Sequence, residues 1–169
     1  MEQGEKWMAI LLSRGFLMEN KLSLTSAIEL LKKDEISSKD LVSSCIAQIK
    51  KWDKQINAFV TLNKNAFDEA GKIKGVPTHQ KPLLGIPVAI KDNFLTKNLR
   101  TTASSKVLDD YIPVYDSTVV KRLKDAGAII LGKTNMDAWA HGSSTETSDF
   151  GPTKNPWDTS RLPGGSEPK

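Results

Sequence analysis

Apolar residues along the chain change their spacing several times, and each change marks an element. Leu24, Ala27, Ile28, Leu30 and Leu31 recur at helical intervals, which predicts a short amphipathic helix. Ser37 followed by Asp40 has the form of a capping box, in which serine and acid satisfy each other's backbone N–H groups. A second helix is expected from there to about Trp52. Ile56 to Leu62 is rich in β-branched and aromatic residues and reads as a strand, and Lys64 to Lys74 returns to helix. After a polar linker from Gly75 to Lys81, Leu83 to Ile90 is a continuous apolar run of strand length, the pattern of a strand covered on both faces. It stops at Lys91-Asp92-Asn93. Asp116 or Ser117 is placed to cap a helix that runs through Ala126 and is closed by Gly127. Ala128 to Leu131 is a further apolar strand, ending in Gly132-Lys133-Thr134-Asn135. A short helix is expected just before Gly142. From Thr145 onward Gly, Pro, Ser, Thr and Asn dominate, which leaves a long ordered loop and a disordered tail as open alternatives.

Strand, helix and strand with polar residues at the strand ends predict an α/β fold with its chemistry at the carboxyl ends of the strands. The 169 residues, 38% of them hydrophobic, suffice for one domain with a core. The net charge of +4 comes from basic residues dispersed among acidic ones, which argues against a nucleic-acid-binding stripe. The single cysteine, Cys45, lies among Leu41, Val42, Ile46 and Ile49 at helical spacing, so a buried structural thiol is expected and a reducing cytoplasm fits. The apolar run Met8 to Leu12 is interrupted by Ser13 and Arg14, too early for a membrane span or an export signal. Residues 1–21 read as an extension of uncertain status, with Met1 and Met18 both open as the start.

Several features can carry chemistry, each beside a plainer reading. Lys91 closes an apolar strand, where partial desolvation favours the neutral amine and a role as base, although many such lysines only reach to water. Ser166 follows Pro163-Gly164-Gly165, a backbone on which absent side chains admit a substrate, or else a flexible linker. Gly142-Ser143-Ser144-Thr145 can line a pocket with hydroxyl and N–H groups or close a helix. His141 has no second ligand at metal spacing, and no phosphate-cradling glycine loop is present, so neither a metal nor a cofactor is expected in this chain.

Taken in order, Leu83 to Asn93 (LLGIPVAIKDN), Ala126 to Asp137 (AGAIILGKTNMD), Gly142 to Glu146 (GSSTE) and Gly151 to Asp158 (GPTKNPWD) resemble the amidase signature family. Within that family they are most similar to the branch of A subunits of tRNA-dependent amidotransferases acting on glutamyl-tRNA(Gln) and aspartyl-tRNA(Asn). The opening Ala27 to Ser38 (AIELLKKDEISS) is similar to that branch as well. The resemblance covers Leu22 to Ser166, the N-terminal portion of a single domain, and implies a mixed β-sheet covered by helices, incomplete at this length.

The family implies a Ser-cisSer-Lys triad. Lys91 matches its lysine, neutral and acting as the base, and Ser166 its bridging serine; His141, Gly142 and Ser143 fall at the substrate pocket. The nucleophilic serine has no match among these residues, since Glu167-Pro168-Lys169 stand where the family continues with serine and glycine. Proline there removes a backbone donor from what is otherwise a glycine-rich turn. Two smaller departures are Ala138, where an acid is common, and His141, where methionine is common. The resemblance further implies glutamine as substrate, the B and C subunits of the amidotransferase as partners, tRNA held mainly through the B subunit, ATP and Mg used by the partner, and a cytoplasmic or organellar location. A truncated, inactive chain is expected on this reading. A stand-alone amidase and a non-catalytic interaction fragment remain as alternatives. Because later strands belong to the same sheet, Val88, Ile90, Ile129, Ile130 and Leu131 are expected nearest an uncovered surface.

Overall fold

In the structure, a computed structural model describing residues 21–164, serine side chains that the sequence supplies cap the starts of three α-helices. Ser23 caps α1 (Leu24–Lys32) by accepting the N–H of Ser26. The capping box forms as expected: Asp40 donates its N–H to the Ser37 hydroxyl at 3.2 Å, and Ser37 returns its own to the Asp40 carboxylate at 2.8 Å. This opens α2 (Ser38–Ile56), which ends at Asn57 in the left-handed conformation, beyond Trp52. Ile56 therefore belongs to the helix, and the strand expected from it is shorter, β1 (Phe59–Leu62). α3 covers Ala66–Lys72. Ser117 caps α4 (Thr118–Asp125), which Gly127 terminates at φ +93°; a Cβ there would lie 2.7 Å from the Leu84 backbone.

The apolar run from Leu83 divides. Leu83 and Gly85 donate to Ala126 and Gly127 carbonyls, with Gly85 at φ +80°, so this stretch is a turn, and β2 (Pro87–Lys91) begins only at Pro87. The last strand, β3 (Ile129–Thr134), lies between the other two in a mixed sheet of order β1-β3-β2, antiparallel to β1 and parallel to β2.

Helices cover both faces of β3. Ile129 and Leu131 pack with Val42, Ala66 and Ala70 of α2 and α3, and Ile130 packs with Ile90 and with Val120 of α4. A third cluster joins Ala27 and Leu31 of α1 to Leu41 and Ile86. Both expectations about exposure need correction. β2 is an edge strand among the described residues, with Ala89 exposed and Val88 half-buried, so it is not covered on both faces. Ile90, Ile129, Ile130 and Leu131 are buried, because the helices needed to cover them are encoded in the same segment. Strongly exposed apolar side chains include Val107, Ile112, Val114 and Tyr115 on the connection before α4, and Trp157 in the C-terminal loop. Cys45 is half-buried against the Val42 cluster, and burial raises its thiol pKa. No helix among the described residues is long and apolar enough to cross a membrane. The expected N-terminal extension lies outside the described residues except at Lys21.

Candidate functional site

Side chains alternate along β2, and the alternation separates Lys91 from the core. Ile90 faces the cluster with Val120, whereas Lys91, paired with Thr134 of β3, turns to the other side and is half-buried. There it lines a cavity of about 290 Å³ at the carboxyl ends of the two parallel strands, where an α/β fold is expected to carry its chemistry. Gly142 and Ser143 line the same cavity, as do Pro163 and Gly164. His141, the residue before them, is exposed and not part of the lining. Ser166 lies outside the described residues.

The cavity wall is set by two residues that the sequence reading passed over. Asn135, directly after β3, donates its amide to the carbonyl of Gly151 at 2.8 Å and to the Thr153 hydroxyl at 3.1 Å. Its carbonyl accepts the hydroxyls of Ser104 at 3.0 Å and Ser148 at 2.7 Å. Asn57 adds donation to the carbonyls of Phe150 and Gly151. The segment from Thr145 is thus an ordered loop, and Asp158 continues the ordering by accepting from Ser160 and Arg161.

Asp137 organises the loop that carries Gly142 and Ser143. Its buried carboxylate accepts the N–H groups of Ser144 at 2.9 Å and Thr145 at 2.8 Å and the hydroxyl of Thr147 at 2.9 Å. Burial pushes this carboxyl group up, but the hydrogen bonds from Thr145, Thr147 and Ser144 prevail and hold it below its ordinary pKa. Gly142 packs so closely that a Cβ would stand 2.8 Å from the Asp137 carboxylate. The expected short helix is a single 3₁₀ turn, Ala138–Ala140, in which Trp139 takes φ 59°.

Behind Lys91 lies a pair of charges with no solvent exposure. Lys133 approaches Asp92 at 3.6 Å and donates to the carbonyl of Phe94 at 2.7 Å and the hydroxyl of Thr101 at 2.8 Å. Burial lowers the Lys133 pKa from 10.5 to about 8, even though Asp92 acts in the opposite sense. The signal for Asn135 and Asp92 was their position directly after apolar strands, and Asp137 lies three residues beyond the end of β3. Lys133 gave none. Among the described residues no group of three His, Cys, Asp or Glu side chains is placed to hold a metal ion. Chemically, the site offers an amine in a small cavity bordered by hydroxyls and glycine backbone, a setting suited to proton transfer at a small polar group.

A family model described as Amidase matches residues 40–167. Among curated relatives, the glutamyl-tRNA(Gln) amidotransferase A subunit of Prochlorococcus marinus (strain NATL2A) is 52% identical over 80% of this chain, and the match covers 29% of that relative. The crystal structure of the glutamyl-tRNA(Gln) amidotransferase A subunit from Thermotoga maritima is 41% identical over 88% of this chain and 30% of its own, with a TM-score of 0.70. The native peptide amidase from Stenotrophomonas maltophilia is 30% identical over 86% of this chain and 32% of its own, with a TM-score of 0.74. Backbone similarity does not separate these two solved structures; sequence identity does.

Proposed function

The chain belongs to the amidase signature family, and from that premise we propose that its residues form the base-bearing portion of the A subunit of a tRNA-dependent amidotransferase. In this reading the complete protein hydrolyses glutamine to glutamate and ammonia through an acyl-enzyme. The ammonia passes to a partner that amidates mischarged tRNA. Lys91 accepts a proton relayed through Ser166 from the nucleophilic serine of the family, so that a lysine amine replaces the imidazole of a Ser-His-Asp triad. Gly142 and Ser143 bound the substrate's side of the cavity. The B and C subunits of the amidotransferase are the proposed partners, with tRNA held mainly by the B subunit and with ATP and Mg used there, in the cytoplasm or an organellar matrix.

The observation that carries this reading is that Lys91, Ser143 and Gly164, two residues before Ser166, line one cavity. The choice of branch rests on identity: 52% and 41% to amidotransferase A subunits against 30% to a peptide amidase. The chain spans about three-tenths of the length of these relatives.

In a full-length polypeptide containing this segment, Lys91→Ala and Ser166→Ala should each lower glutamine turnover by about 10³-fold or more. Near-normal turnover in either variant would defeat the assignment. A polypeptide of residues 1–169 alone holds the proposed base and relay but no residue matching the nucleophile, and is expected to release no glutamate above background. Release that disappears in Lys91→Ala would contradict this.

A further inference from the structure

The buried Asp92–Lys133 pair stands in no contact that the proposed proton transfer requires, yet it occupies the position next to the base. Both side chains have 0% exposure. Among the described residues one Asp92 carboxylate oxygen, Oδ1, has no hydrogen-bond partner and faces the Lys133 amine at 3.6 Å. The other, Oδ2, takes three hydrogen bonds, from the N–H and hydroxyl of Thr102 at 3.0 and 2.5 Å and from the N–H of Ser104 at 3.1 Å. A buried ion pair is weak evidence for stability, because an apolar pair of similar volume commonly does as well. What this pair specifies is the path of one loop. Thr101 to Ser105 are all buried, and Ala103 and Ser104 hold left-handed φ values of 51° and 54°, which non-glycine residues adopt only under constraint. The constraint comes from Asp92 through Oδ2 and from Lys133 through Thr101.

The loop is in turn bonded to the cavity wall. The Ser104 hydroxyl donates to Asn135 at 3.0 Å and accepts the N–H of Met136 at 3.0 Å, and both Asn135 and Met136 line the cavity. The Asp92 backbone closes the circuit, donating to Thr134 and accepting from Ala103. One residue after Lys91 thus begins a continuous path: Asp92, the buried loop, Ser104, then the Asn135–Met136 wall of the cavity that Lys91 also lines.

We infer that Asp92, held by Lys133, is a positioning residue that fixes Lys91 relative to the Asn135–Met136 wall through Ser104. The inference rests on the role proposed for Lys91. It concerns placement of the base in the reacting geometry, so its loss should appear in kcat more than in KM.

The test uses a full-length polypeptide containing this segment, assayed for glutamine hydrolysis well below the unfolding temperature of each variant. Asp92→Asn removes the charge. Ser104→Ala keeps the ion pair and removes only the hydroxyl link, and so remains informative where Asp92→Asn fails to fold. Ser104→Ala, and folded Asp92→Asn, should lose about tenfold to a hundredfold in kcat, with KM within about threefold of the parent. Lys91→Ala is measured alongside. If it abolishes turnover while Ser104→Ala retains the parental kcat, the positioning inference is overturned and the base assignment stands. If Lys91→Ala retains turnover, the base assignment falls and the inference falls with it.

Discussion

Two lysines near the carboxyl ends of neighbouring parallel strands have opposite fates. Lys91 ends β2 and lines a cavity, half-buried; Lys133 lies one residue before the end of β3 with no exposed surface, locked to Asp92, Phe94 and Thr101. It is Lys133 whose amine is depressed to about 8 by burial. A lowered lysine pKa is often read as the mark of a base, and here it marks a residue enclosed in protein that no substrate reaches. Access to the cavity, set by which side of a strand a residue occupies, distinguishes the candidate base.

The contrast can be broken by exchanging the two expected losses. Lys91→Ala should remove turnover in a full-length polypeptide, about 10³-fold or more, while shifting unfolding free energy by less than about 1 kcal/mol, since only a half-buried side chain is lost. Lys133→Met should leave Asp92 buried without its counter-charge and cost about 3–5 kcal/mol of stability by equilibrium denaturation. A destabilisation larger for Lys91→Ala than for Lys133→Met would invert the comparison.

Asp137→Ala sharpens it on the cavity side. The N–H groups of Ser144 and Thr145 and the Thr147 hydroxyl lose their acceptor, for an expected cost of about 1–3 kcal/mol and a raised KM for substrate as the Gly142–Ser143 loop loosens. Unchanged KM and stability would show that the loop is held by other means.

The smallest expected effect is on pH dependence. Because the folded-state pKa of Lys133, about 8, lies below the ordinary 10.5, the unfolded chain binds more protons between those values. Stability should therefore rise with pH across that window, the cost of burying the charged amine being full below about pH 8 and relieved above it. Thermal unfolding from pH 7 to 10.5 should show this rise, and Lys133→Met should lack it. An equal rise in the variant would assign it to other groups.

Much of this was legible in the sequence for local reasons. The Ser37–Asp40 box, the Ser117 cap and the Gly127 stop depend on neighbouring residues, and each lies where the sequence places it. Leu83 to Gly85 reads as strand in the sequence because apolar character does not distinguish a strand from a turn docked on Ala126 and Gly127. Lys133 escapes a sequence reading because of a bulge. β3 pairs Ile130 with Val88 but Gly132 with Ala89, passing over Leu131, and this places Lys133 beside Ile90 rather than on the face of Ile129 and Leu131. Simple alternation from the apolar run gives the wrong side. The Asn135 network joins residues up to 78 positions apart and the Asp137 network residues up to 10 apart, and no local pattern encodes such pairings.

The most direct test of the central claim, that Lys91 and Ser166 act as one proton-relay unit, is a double-mutant cycle on glutamine turnover in a full-length polypeptide. If they form one relay, Lys91→Ala/Ser166→Ala should be no slower than the slower single variant, within a few-fold, because either loss alone interrupts the same proton path. Losses that multiply in the double variant would mean that the two residues act independently, and would contradict the account.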